Sequence, residues 1–92
     1  MLESHAEVVI DRPARWAKQL ADHFSHKLEV QERPEGRVLH FSVGEGVVSN
    51  NDIAVLLTAR AETADELARV QDVLARHLER FAHREEITVS WS

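Results

Sequence analysis

The 92-residue chain has no cysteine, only three glycines and two prolines, and no long apolar run. Each scarcity removes a class of function. Without cysteine there is no disulfide, thiolate nucleophile, zinc ribbon or iron–sulfur ligation, a composition suited to a reducing compartment. The longest purely apolar stretch, Ile53 to Leu57, is far too short to span a bilayer. The opening Met1-Leu2-Glu3-Ser4-His5 lacks the cationic-then-apolar order of a secretory signal, so a cytoplasmic location is expected. Positive charge is also short: eleven Lys and Arg against sixteen Asp and Glu give a net charge of −5 with histidine neutral. That balance leaves no electrostatic footprint for nucleic acid, and no lysine-rich amphipathic face argues for a membrane. Gly36, Gly44 and Gly46 fall among antiparallel strands rather than between a strand and a helix, which excludes a P-loop and a dinucleotide fingerprint. No serine sits in G-x-S-x-G, and the adjacent Glu85 and Glu86 would point oppositely in a strand. A non-catalytic domain is the expectation.

With 43% apolar residues, a chain of 10.5 kDa builds one two-layer core, a single domain over residues 1–92. Ser4 to Ile10 alternates as a half-buried strand. Asp11 is placed to cap a helix that starts at Arg12-Pro13 and buries Pro13, Trp16, Ala17, Leu20 and Phe24. Leu28 and Val30 alternate before the turn residues Arg33-Pro34-Glu35-Gly36. Leu39, Phe41 and Val43 then share a strand face, Gly44-Glu45-Gly46 suggests a tight connection or bulge, and Asn50-Asn51-Asp52 marks another turn before Ile53 to Arg60. Thr63-Ala64-Asp65-Glu66 is a capping box, after which Leu67, Val70, Leu74, Leu78 and Phe81 form one helical stripe. Ile87, Val89 and Trp91 alternate as a final strand. The order strand, helix, four-strand meander, helix, strand implies an α+β fold: one mainly antiparallel sheet of about six strands with two helices on one face. By parity Val9, Val38, Val48, Ala54 and Leu56 fall on the helix-free face, which suggests a homodimer.

Six histidines are the unusual abundance, since charging all of them would move the net charge from −5 to +1. His23 and His26 lie three apart on the first helix, so both imidazoles can converge on one ion. His23 borders the apolar stripe and His26 sits further towards solvent. On the second helix His77 likewise borders its stripe, whereas His83 lies on the polar side. Side-by-side packing of the helices would bring His23, His26 and His77 together as nitrogen ligands for a divalent transition metal such as zinc, copper, nickel or ferrous iron. His5 and His40, on strands, are weaker additions. The competing reading is structural, with each imidazole bonded to a core carbonyl or carboxylate. Arg12 and Arg15 project on the same side as His23 and His26, a candidate cationic pocket for a carboxylate or phosphate. Arg80 and Arg84 are explained by the negative end of the second helix.

The blocks Asp11-Arg12-Pro13-Ala14-Arg15-Trp16-Ala17-Lys18-Gln19-Leu20, His23-Phe24-Ser25-His26-Lys27 and His77 to Glu85 resemble the bacterial domain-of-unknown-function family numbered 2218. The resemblance implies a stand-alone bacterial α+β protein of about this length with no established activity, in a setting of metal and iron homeostasis. It carries over no catalytic residue. His83 departs from the family pattern, in which an aromatic residue is frequent there, and is left out of the candidate site.

Overall fold

Two tight connections set the register of the sheet. Pro34 and Glu35 form a two-residue turn between β2 (Val30–Arg33) and β3 (Gly36–Phe41), placing Arg33 opposite Gly36 and Val30 opposite Leu39. Gly36 has a φ of 134°, which residues with a side chain rarely adopt. At the next connection but one, the Asn51 side-chain oxygen accepts the backbone N–H groups of Ile53 and Ala54 at 2.9 and 2.8 Å. This Asx turn joins β4 (Gly44–Asn50) to β5 (Ala54–Ala61). β1 (Leu2–Val9) pairs with β5, completing a five-stranded, wholly antiparallel sheet in the order β1-β5-β4-β3-β2. The structure is a computed structural model that describes residues 1–92.

Two helices, α1 (Pro13–Ser25) and α2 (Ala64–Phe81), cover one face. Thr63 caps α2 as expected: its hydroxyl oxygen accepts the Glu66 N–H at 3.1 Å and donates to the Glu66 carboxylate at 3.2 Å. Between helices and sheet lies one core built from Leu20 and Phe24, then Leu39, Val48, Val55 and Leu57, then Val70, Leu74 and Leu78. None of the helices is long and apolar enough to cross a membrane.

Four expectations need correction. The sheet has five strands rather than about six, because Ile87, Val89 and Trp91 lean half-buried on the core without a ladder. Beside β1 that segment makes one rung, in which His5 and Ser92 exchange backbone hydrogen bonds at 3.0 and 2.9 Å. Alternation in the sequence reports which face is buried, and packing alone satisfies it here. Gly44 and Gly46 are not a connection but the start of β4, under α2. A Cβ on Gly46 would sit 3.1 Å from Leu74 and from Phe41, and one on Gly44 would collide with the Arg60 carbonyl oxygen. Asp11 does not cap α1: the N-cap is Arg12 in the left-handed conformation (φ 56°), and no side chain caps the helix. A residue before proline is barred from the right-handed helical region, which displaces the helix start by one position. Finally Val48 faces the helices, in the core, and Val47 takes its place on the other face.

On the helix-free face one arginine ties several segments of the chain together. Arg60 of β5 reaches Glu3 of β1 at 2.7 Å, Glu45 of β4 at 3.8 Å and Glu35 of the β2–β3 turn at 3.0 Å. On the same face Val38 and Val47 are 1% and 4% exposed. Ala54 is fully buried as well, so of the apolar residues assigned to this face only Val9 stands well out of it, at 66% exposure.

Two substitutions test this account. Leu74→Ala leaves a cavity over Gly46 and should cost about 3 kcal/mol, read as a lowered midpoint in urea unfolding. Arg12→Gly should instead stabilise by up to about 1 kcal/mol, because the left-handed backbone at residue 12 carries no penalty for glycine. A loss on Arg12→Gly would show that side-chain contacts outweigh the strain.

Candidate functional site

His23 and His77 meet where the last turns of α1 and α2 come together. Their ring centroids are 5.0 Å apart with the planes tilted by 43°. Three phenylalanines fix this pair. Phe81 meets the His23 ring edge-on at 5.2 Å, Phe24 lies 4.8 Å from His77, and Phe41 of β3 backs Phe24 at 5.3 Å. Helical spacing explains the arrangement: His77 and Phe81 are four apart, so they stack along one side of α2 above buried Leu74 and Leu78. Both imidazoles are half-buried.

The two nitrogens of His77 have different work. Nδ1 lies 2.7 Å from the Val73 carbonyl oxygen, which as a pure acceptor requires the proton on Nδ1. In the neutral ring this leaves a lone pair on Nε2 and fixes the ring plane. Burial, and after it the nearby His77, hold the His23 imidazole below the ordinary 6.5; Lys27, His26 and Arg80 press in the same direction. Neither Lys27 nor Arg80 has a carboxylate within ion-pair distance. A shallow notch of about 280 Å³ opens beside His77, lined by Arg76, His77 and Arg80.

Of the three histidines taken together from the sequence, the fold thus joins two. His26 is the exposed C-cap residue of α1, and no group of three or more histidine or acidic side chains is gathered closely enough to hold a metal ion. Arg12 and Arg15 are elsewhere. Arg15 is eight residues from His23, about 12 Å along the helix, with its guanidinium 6.0 Å from the Trp16 ring. Arg12 lies 3.8 Å from Asp11. Helical phase put these arginines on the same side as His23, but the rise along the axis separates them. What the sequence reading missed is that His77 shares one notch with Arg76 and Arg80, while Lys27 acts on His23. The signal was present in His23-x-x-x-Lys27 and His77-x-x-Arg80, one-turn spacings that matter only once the helices are known to touch.

His5 and His40 belong to the helix-free face. His5 bridges Glu3 at 2.9 Å and the Thr58 hydroxyl at 3.1 Å, and His40 contacts Gln31 at 3.1 Å. They extend the Arg60 network across the sheet. Arg60 is held protonated by hydrogen bonds to Glu35 and Glu3, and its hydrogen bond to Glu3 keeps that carboxyl below its ordinary range.

Comparison with known proteins places this geometry in a family without an assigned activity. A family model described as "Uncharacterized protein conserved in bacteria (DUF2218)" matches residues 5–92. A solved structure, described as the NMR structure of PA4090 from Pseudomonas aeruginosa, is similar at 30% identity with a TM-score of 0.82. The match covers 100% of this chain and 96% of that one. No curated protein matches.

The depressed His23 gives a signed pH prediction. The unfolded chain takes up this proton as pH falls through 6.5, while the folded chain does not, so the unfolded state binds more protons in that window. Folding stability should therefore fall below pH 6.5, and His23→Phe should flatten the slope of melting temperature against pH between 7 and about 5. An unchanged slope would show that His23 is not the group responsible.

Proposed function

The chain belongs to the DUF2218 family of uncharacterised bacterial proteins, and for it we propose a binding rather than a catalytic role, in which His23 and His77 present two imidazole nitrogens to a transition metal ion. The observation that carries this reading is the 5.0 Å separation of the two rings. With metal–nitrogen bonds of about 2.0–2.1 Å, two imidazoles at a tetrahedral angle have centroids roughly 5.2 Å apart. Two features support it. The Nδ1–H of His77 donates to a backbone carbonyl, the usual outer contact of a metal-ligating histidine, which orients the ring and leaves Nε2 for the ion. Burial also favours the neutral form of His23, the form that ligates.

Two protein nitrogens make half of a tetrahedral set. The remaining positions fall to exogenous donors, with exposed His26 one turn beyond His23 as the nearest further imidazole on α1. Nitrogen ligands without sulfur suit zinc, copper or ferrous iron. Nothing in the site supplies a nucleophile, so the ion is the ligand of the domain rather than the agent of a reaction.

The test is elemental analysis of metal-stripped protein re-equilibrated with zinc, copper or ferrous iron. One ion per chain is expected, with affinity weakened more than ~10-fold in His77→Ala and in His23→Ala and unchanged in His83→Ala. Absence of uptake by the parent, or equal uptake by parent and His77→Ala, refutes the reading and returns both imidazoles to a structural role.

A further inference from the structure

Nine of the eleven lysine and arginine residues are exposed, so water solvates their charges whether or not a carboxylate is near. Arg37 and Arg60 are the two that the fold draws inward, with side chains 32% and 22% exposed. Arg60 is answered by three glutamates. Arg37 is reached at one atom only: Glu32, itself 81% exposed, accepts from Nε at the long distance of 3.4 Å, and nothing in the chain accepts from either Nη. Asp22 engages Lys18 at 2.6 Å and lies beyond ion-pair distance of Arg37. No buried side-chain nitrogen lacks a partner, so both Nη atoms of Arg37 are open to solvent. This half-buried, half-satisfied arginine borders a cleft of about 440 Å³ between α1 and the turn end of the β2–β3 hairpin. Ala17 and Lys18 line it from α1, Arg33 and Arg37 from the hairpin, and Ser49 from β4. Glu32 is the one carboxylate in the lining, against three cations, in a protein of net charge −5.

We propose that this cleft binds a small molecule through an oxyanion, a carboxylate or phosphate group, which Arg37 grips through its Nη atoms while Lys18 and Arg33 add charge and the Ser49 hydroxyl a further donor. The planar guanidinium is a fork of donors matched to the two oxygens of such a group. Its partial burial makes the match count, because a charge-assisted bond is worth more where water is partly excluded than at an exposed site. The volume is that of a small-molecule site. Packing of an arginine stem over apolar surface accounts for the depth of Arg37 alone. It gives no reason for cations from three separate elements, α1, β2 and β3, to border one cleft. The cleft shares no residue with the histidine seam and binds its anion without a metal.

The experiment follows proton–nitrogen NMR spectra of the full chain at constant ionic strength while inorganic phosphate or acetate replaces chloride. Saturable shifts are expected at the amides of Gly36, Arg37, Ser49 and Asn50, with a Kd at or below about 1 mM for one of the two anions. The anion with the lower Kd identifies the group as phosphate or carboxylate. Arg37→Gln should raise that Kd about tenfold, and Arg37→Lys nearly as much, because lysine keeps the charge and loses the fork. Lys18→Gln and Arg33→Gln, at exposed positions, should each raise it about threefold. Arg69→Gln, exposed on α2 and outside the cleft, should leave it unchanged. Shifts that do not saturate, or that map elsewhere on the chain, overturn the proposal, as does a Kd unchanged in Arg37→Gln. Should Arg37→Gln fail to fold, the two exposed variants decide, and an unchanged Kd in both refutes the site.

Discussion

The depth at which α2 rests on the sheet governs the rest of the molecule. Leu74 is fully buried over Gly46, and Gly44 leaves no room for a Cβ above the backbone of β5. Close approach of this kind requires glycine, since any side chain at either position pushes the helix away from β4. Because a helix is rigid over three turns, fixing Leu74 also fixes His77 and Phe81 one and two turns on. Phe41 sits beside both Gly46 and Phe24, so the seating of α2 and the packing of α1 share one aromatic contact. The distance between His23 and His77 is thus a consequence of two glycines in β4. Interiors are packed too tightly to absorb a shift at one point without passing it on.

A sheet with both helices on one side must deal with its other face. Many antiparallel sheets leave it polar and wet. This chain does something in between: Arg60 gathers three glutamates from β1, β4 and the β2–β3 turn, and two valines of the same face are buried. With partial exposure of every member, these ion pairs are screened and individually worth little. Their contribution is to tie β1, β4 and the β2–β3 turn to β5 on the face where Val38 and Val47 are also buried. Of the apolar residues on that face, Val38, Val47 and Ala54 are buried within one chain, while Leu56 is half-buried and Val9 exposed.

Much of this was legible from residue order. The alternation of Ala6, Val8 and Ile10 marks the buried side of β1, and the stripe of Val70, Leu74 and Leu78 marks that of α2, because both periods follow from local geometry alone. The edge positions of His23 and His77 came from the same wheels. What escaped depends on contacts between distant segments. Arg60 finds Glu3 across 57 residues and Glu35 across 25. Sequence gives no sign of which acids an arginine meets until strand order is known. Gly44 and Gly46 read as turn residues because glycine serves turns and close approaches equally well. The run from Ile87 to Trp91 has a strand's pattern without its hydrogen bonds, since packing against the core asks only that every second side chain be apolar. Arg12 and Arg15 were placed beside the histidines by angle around the helix, a coordinate that says nothing of height along it.

The histidine seam also shows how one arrangement can serve packing and chemistry together. An imidazole nitrogen at the edge of an apolar seam must be compensated by a hydrogen bond within the chain or to water. His77 compensates one nitrogen through Val73, and the nitrogens without a partner in the chain remain in contact with solvent, since no buried side-chain nitrogen is left unpaired. Protonation would attract water, but burial and the surrounding cations oppose it. The seam therefore packs through the ring faces, while the nitrogens not bonded within the chain stay open to solvent.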